Sequence, residues 1–173
     1  MKKAIIASAI AVASLGMMNT ASAGNGEVQF IGAVTATTCD LSPEVGGSVT
    51  SLVQLGTASL NAAAAPVTFS LKADSGQSDC SALDAAKTAT ISWAGQFNAQ
   101  GLANQNGTAT GAWMKLTAQN AKTAAQVVTD SASSVEFAGD EIKNNGALFE
   151  ATLNGGAAAG DFKSAAAFVV AYK

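Results

Sequence analysis

The stretch GEVQFIGAVTATTC, residues 26–39, decides how the rest of the chain is read. Val28, Phe30, Gly32 and Val34 fall on one side of a period-2 pattern, the mark of a strand with one buried face. This strand stands ahead of the first cysteine, near the start of the exported chain. No neighbouring segment of its own domain is an evident partner. An apolar strand so placed either folds back into its own sheet or pairs with another one.

Upstream, MKK is followed by AIIASAIAVASLGMM and NTASA. A short positive start, an apolar stretch and a small-residue A-x-A end form a secretory signal. The apolar stretch is short for a bilayer span, so residues 1–23 are read as a cleaved leader. Roughly 150 residues remain, enough for one domain with its own core. They hold seven lysines, twelve acids and no arginine. A net negative chain without a basic cluster excludes nucleic acid as a partner.

Two cysteines, Cys39 and Cys80, form an even pair in an exported chain, which reads as a disulfide. Closing a loop of this length stabilises a fold by about 4 kcal/mol in the chain-entropy account. A metal or redox pair would call for C-x-x-C spacing or a histidine, and the sequence has neither.

Along the chain, short alternating runs recur between turn signals. PVTFSLKA turns Val67, Phe69 and Leu71 one way; TATISWAG turns Ala89, Ile91 and Trp93 one way. GAWMKLTA sets Met114 and Leu116 opposite Trp113, Lys115 and Thr117. GALFEATLNGG aligns Ala147, Phe149, Ala151 and Leu153, and the terminal AAAFVVAYK aligns Phe168, Val170 and Tyr172. PEVGG, ADSGQSD, NAQGLANQNGTATG, AGDEIKNNG and NGGAAAG read as turns and loops. SLNAAAAP and ALDAAK have room for a helical turn each. Strands at this spacing without long helices predict an antiparallel β-sandwich.

Catalytic chemistry finds little to work with. Without histidine there is no Ser-His-Asp or Cys-His pair and no H-E-x-x-H metal motif. Without arginine there is no bidentate phosphate clamp. The adjacent Asp140 and Glu141 sit in a turn-like stretch, and GGAAAG fits no nucleotide loop. NGT at Asn106 matches the glycosylation triplet, but a Gly/Asn-rich loop spells the same letters. The expectation is a non-enzyme without metal or cofactor.

Several features then fall into one order: VQFIGAV before a cysteine, VQLG at residues 53–56, FSLKADSGQSDC, and a FVVAYK end with tyrosine next to last. This order resembles the enterobacterial chaperone–usher fimbrial pilins of the type 1 kind. PEVGG, FSLK, SDC, ISWAG and MKLTAQN look closest to the major subunits of thin fimbriae from enterotoxigenic strains. Gly160, fourteenth from the C-terminus, and Tyr172 match positions that the family tends to keep.

The resemblance implies an all-β fold: an incomplete immunoglobulin-like β-sandwich, completed by a donor strand from a neighbouring subunit. Residues 24–37 would be the donor segment and residues 38–173 the pilin domain. Val28, Phe30 and Val34 would enter pockets of the neighbour, with Gly32 over a shallow place. A periplasmic chaperone would fill the groove first, reading an edge that includes Gly160, Phe168, Val170 and Tyr172. An outer-membrane usher would then exchange that strand for the next subunit's, head to tail. The expected product is a repeating major subunit of a surface fimbria that supports adhesion to host cells.

Two other readings stand beside this one. The subunit itself binds a host glycan, with Trp113 stacking on a sugar ring and the Asn- and Gln-rich loops bonding hydroxyls. Alternatively the chain is a free-standing secreted sandwich whose first strand completes its own sheet.

Overall fold

The computed structural model describes residue 32, residues 39–73 and residues 76–173. The leader and Val28, Phe30 and Val34 lie outside the described residues. In chain order the elements are β1 (Leu41–Val45), β2 (Ser48–Val49), β3 (Val67–Ala73), a 3-10 turn (Ser78–Ala82), β4 (Thr88–Gly95), β5 (Leu102–Ala103) and β6 (Trp113–Ala118). There follow β7 (Val127–Val128), β8 (Ser134–Ala138), α1 (Gly139–Asn144), β9 (Ala147–Asn154) and β10 (Ala166–Tyr172). All strand pairs among the described residues are antiparallel. One sheet runs β2-β1-β3-β9-β6, with β5 and β7 sharing the far edge of β6; the other runs β10-β4-β8. The fold is an immunoglobulin-like β-sandwich.

Alternation explains which side chains meet between the sheets. In β4, Ala89, Ile91 and Trp93 are buried while Thr88, Thr90 and Ser92 are half-buried. In β8, Val135 and Phe137 are buried between exposed Ser134 and Glu136. Phe69 and Phe149 sit opposite each other across β3 and β9 and stack at 5.6 Å between ring centres. From the facing sheet, Trp93 meets Phe149 edge-on at 5.3 Å and Phe137 meets it at 5.6 Å. Such edge-to-face pairs add about 0.5–1.5 kcal/mol each beyond the apolar area they bury.

The five alternating strands expected after the first cysteine all form, as β3, β4, β6, β9 and β10. Period 2 sorts the two faces of a strand but does not measure how well neighbours cover the outer one. Ser70, Thr117 and Thr152 point away from the core and are nonetheless buried, because β3, β9 and β6 have strands on both sides.

Two turn-like stretches differ from expectation. PEVGG belongs mostly to β1, and only Gly46 and Gly47, at φ +57 and +84, make the turn into β2. AGDEIKNNG holds the short helix α1, which buries Ile142 and stops at Gly146, φ +76. One inward isoleucine is a weak periodic signal, so the polar residues around it dominate the reading. The short strands β5, β7 and β8 were likewise not apparent from alternation.

Candidate functional site: an open groove beside the last strand

A groove of about 1190 Å³ opens between the two sheets. Phe69, Leu71, Trp93, Leu116, Ala151 and Leu153 line it from within, so its floor is the hydrophobic core itself. One wall is the extended stretch of residues 51–60; the other is residues 158–168, leading into β10. Val53, Leu55, Met114, Phe168 and Val170 pack against the core while remaining only half-buried. The apolar surface that the sandwich fails to cover is concentrated here.

The backbone along both walls lacks sheet partners. Thr88 and Lys173 exchange both hydrogen bonds, at 3.0 and 2.9 Å. In an antiparallel ladder this fixes the alternation: Ala171, Val169 and Ala167 also bond to β4, while Phe168 and Val170 turn their N–H and C=O the other way. No strand of the described residues pairs along that side of β10. Opposite, Val53 and Leu55 alternate inward with exposed Leu52, Gln54 and Gly56, as a strand would. Among the described residues, the main chain of residues 53–58 makes no main-chain hydrogen bond. An apolar floor between two unpaired edges has the shape of a missing strand. At about 3.3 Å per residue, the seven residues of β10 set a slot roughly 23 Å long.

The wall leading into β10 is held by side-chain hydrogen bonds. Asn104 donates through Nδ2 to the carbonyls of Ala109 (2.9 Å) and Asp161 (3.1 Å). Its Oδ1 accepts from the amides of Gly107 (3.1 Å) and Lys163 (2.9 Å). One amide thus ties the loop after β5 to the loop before β10. Gly160 lies where these loops touch: a Cβ there would stand 2.5 Å from the Ala109 nitrogen and 2.5 Å from Thr108 Oγ1. The charged pair Asp161 and Lys163, 3.9 Å apart, is exposed to solvent and adds little.

The residues singled out in the sequence fall in different places. Gly160 and Phe168 line the groove, and Phe168 packs on Trp93 at 5.5 Å between ring centres. Val170 follows Phe168 on the inner face of the same edge. Tyr172 is buried beyond the groove, where its hydroxyl donates to the carbonyl of Cys39 at 2.6 Å. Burial, reinforced by the nearby Asp40 carboxylate, raises its pKa well above the usual phenol range. Cys39 and Cys80 form the disulfide, S–S 2.04 Å. Gly32 is exposed, with open space where a side chain would go. Trp113 lies outside the groove, half-buried on the outer face of β6. Sequence reasoning missed Leu102, Met114 and the Val53/Leu55 wall as groove residues. The last had a signal in the alternation of SLVQLG.

Among the described residues no three acidic or cysteine side chains cluster as metal ligands would. No protein-family profile matches the chain. Full-length comparison is decisive instead: the F107 fimbrial protein of Escherichia coli is 39% identical over 173 residues, covering all of both chains. The chain belongs to the family of fimbrial subunits. The K99 fimbrial protein of Escherichia coli is 33% identical to it over 189 aligned positions, covering 99% of each chain. A fimbrial subunit is a building block of a cell-surface polymer, so an open, strand-shaped groove on it is a candidate contact with another subunit.

Proposed function

We propose that this fimbrial subunit polymerises by strand addition, its groove receiving residues 24–37 of the next copy. The observation that carries the reading is the pairing of an apolar floor with two main-chain edges that lack sheet partners. An incoming strand supplies hydrogen bonds to Phe168, Val170 and the wall of residues 53–58, and alternate side chains to the floor. Val28, Phe30 and Val34 have the period to fill it, and Gly32 suits a place where a side chain would collide with the floor.

Magnitudes favour an obligatory partner. Burying three such side chains contributes about 1.5–3 kcal/mol each, and each net hydrogen bond about 0.5–1.5 kcal/mol. Their sum is comparable to the ~5–15 kcal/mol stability of a whole domain. A subunit with an empty groove is therefore marginal and exposes unpaired edges. A periplasmic chaperone strand covers the groove during export, reading the edge from Gly160 to Tyr172, and an outer-membrane usher exchanges it for the next subunit. The contact is heterologous and yields an open filament, which as a major subunit builds the fimbria that attaches the cell to its host.

The test is a peptide rescue. The chain lacking residues 24–37 is refolded, and its thermal unfolding is followed with and without the peptide GNGEVQFIGAVTAT. A rise of several degrees is expected, lost when the glycine corresponding to Gly32 becomes leucine. A truncated domain that is already stable and indifferent to the peptide would sink the reading.

A further inference from the structure

Met114 supplies the one sulfur atom among the residues that line the groove. The other methionines of the sequence, Met1, Met17 and Met18, all fall within residues 1–23, so residues 24–173 hold no second one. Cys39 and Cys80 are joined to each other, and among the described residues no cysteine is free. The sulfur chemistry still open to the domain is this thioether.

Its place in the sheet leaves it uncovered. Met114 lies on the inner face of β6, directly opposite Leu102 of β5 and Leu153 of β9, and both leucines line the groove as well. Leu116, two residues further along the same face, is 1% exposed, whereas Met114 is only half-buried. The sheets are unequal: seven strands on this side face β10, β4 and β8 on the other. The cover over β6 therefore ends between Leu116 and Met114, and the methionine side chain meets the open groove. Leucine, of similar volume, fills the positions on either side, so apolar burial alone does not call for sulfur here.

We propose that Met114 is an oxidation site of the open subunit, and that its sulfoxide closes the groove to assembly. With hydrogen peroxide, the sulfur lone pair attacks one peroxide oxygen and the O–O bond breaks. A sulfur–oxygen bond forms, and the departing hydroxide leaves as water with the proton of the transferred oxygen. Sulfur loses two electrons and the peroxide gains them. The flexible apolar side chain becomes a polar one, and reduction by a methionine sulfoxide reductase reverses the change. The side chains of Leu102 and Leu153 on either side cannot donate a hydrogen bond to the new oxygen. An apolar strand laid over it would bury that oxygen unsatisfied, which disfavours the seated state. This last step rests on the reading of the groove as a strand acceptor. A seated strand in turn covers the sulfur, so oxidation discriminates open subunits from assembled ones.

The experiment treats the monomeric full chain, and fimbriae assembled from it, with hydrogen peroxide and maps the gain of one oxygen by peptide mass spectrometry. Met114 should oxidise much faster in the monomer than in the fimbriae. The oxidised monomer should bind the peptide GNGEVQFIGAVTAT roughly tenfold more weakly and assemble correspondingly less, with both restored by methionine sulfoxide reductase. Met114→Leu, whatever its own affinity, should bind the peptide equally before and after peroxide, and Met114→Gln should bind it as poorly as the sulfoxide does. Equal oxidation rates in monomer and fimbriae would overturn the inference. So would an oxidised chain that binds and assembles like the untreated one, or a Met114→Leu chain that peroxide weakens as much as the wild type; strand addition survives either result. A monomer that never binds the peptide, yet stops assembling once Met114 is oxidised, would uphold the oxidation site and remove the strand-addition reading.

Discussion

The hydroxyl of Tyr172, next to last in the chain, donates to the main-chain carbonyl of Cys39, 133 positions earlier, at 2.6 Å. Cys39 is also half of the disulfide to Cys80. The final strand, the beginning of the domain and the 3-10 turn after β3 are thereby fastened at one point. The groove opens along β10 before this point, so its edge ends in a fixed anchor rather than a frayed terminus.

Removing that hydroxyl should be costly. Tyr172→Phe keeps the ring in the core and leaves the Cys39 carbonyl without this donor, a loss of about 1–3 kcal/mol. Urea denaturation of the full chain should show a lower midpoint at unchanged slope. An unchanged midpoint would mean that the bond contributes nothing net.

The same phenol sets an alkaline limit. Its folded pKa is raised, chiefly by burial and then by Asp40, so below about pH 10 the ring is neutral in both folded and unfolded chains and costs nothing. Above that pH the unfolded chain ionises while the folded one does not. Stability then falls by about 1.4 kcal/mol per pH unit for this one proton. Denaturation midpoints measured across the alkaline range should fall for the wild type and fall less for Tyr172→Phe. Parallel slopes would show that the ring ionises without hindrance in the fold.

Reduction should act at the same anchor from its other side. The bridge spans a sequence separation of 41, for which the chain-entropy account gives about 4 kcal/mol. The double change Cys39→Ser, Cys80→Ser should unfold at a much lower denaturant concentration and should no longer respond to reductant. A wild type whose midpoint ignores reductant would contradict this.

Much of this architecture was legible because one-sided burial writes period 2 into a sequence. Ile91 and Trp93, Phe149 and Ala151, Phe168 and Val170 each announce a strand and its inward face. Groove and site were less legible. That Phe168 borders open space instead of a neighbouring strand depends on which strands flank β10, and alternation is the same at an edge as at a centre. The role of Asn104 was hidden for a different reason: a polar residue in a Gly/Asn-rich stretch looks like any turn former until its four partners, two in its own loop and two in the distant loop before β10, are in place. Ile142 in α1 shows the converse, since a single buried contact cannot outvote the charged residues around it.

Gly160 should resist even the smallest side chain. The Cβ of Gly160→Ala would meet the Ala109 nitrogen and Thr108 Oγ1 at 2.5 Å, and Thr108 Oγ1 accepts from the Asp161 amide at 3.0 Å. The two loops must part, at a cost of about 1–3 kcal/mol. For a domain this size that is about 2–4 °C per kcal/mol in melting temperature. Gly47→Ala is a useful contrast: its backbone is left-handed, φ +84, but the space around it is open. It should strain the β1–β2 turn without touching the groove. If Gly160→Ala melts with the wild type and binds the donor peptide as tightly, the close loop contact is not a constraint on the groove.

Asn104 offers the sharpest division between a filler and a clamp. Asn104→Ala removes two donor and two acceptor bonds, one of each within the loop before β6 and one of each to the loop before β10. We expect a loss of at least ~2 kcal/mol and faster release of a bound donor peptide, because the wall of residues 158–165 loses its tie. Asn104→Asp is nearly the same size and keeps the oxygen that accepts from Gly107 and Lys163. It replaces the donor with a second oxygen facing the carbonyls of Ala109 and Asp161, so two attractive contacts become repulsive. It should therefore be no better than alanine in melting temperature or peptide off-rate. An aspartate variant close to wild type in both would show that the acceptor bonds alone shape the wall, and that the groove does not depend on the link from Asn104 to the Asp161 carbonyl.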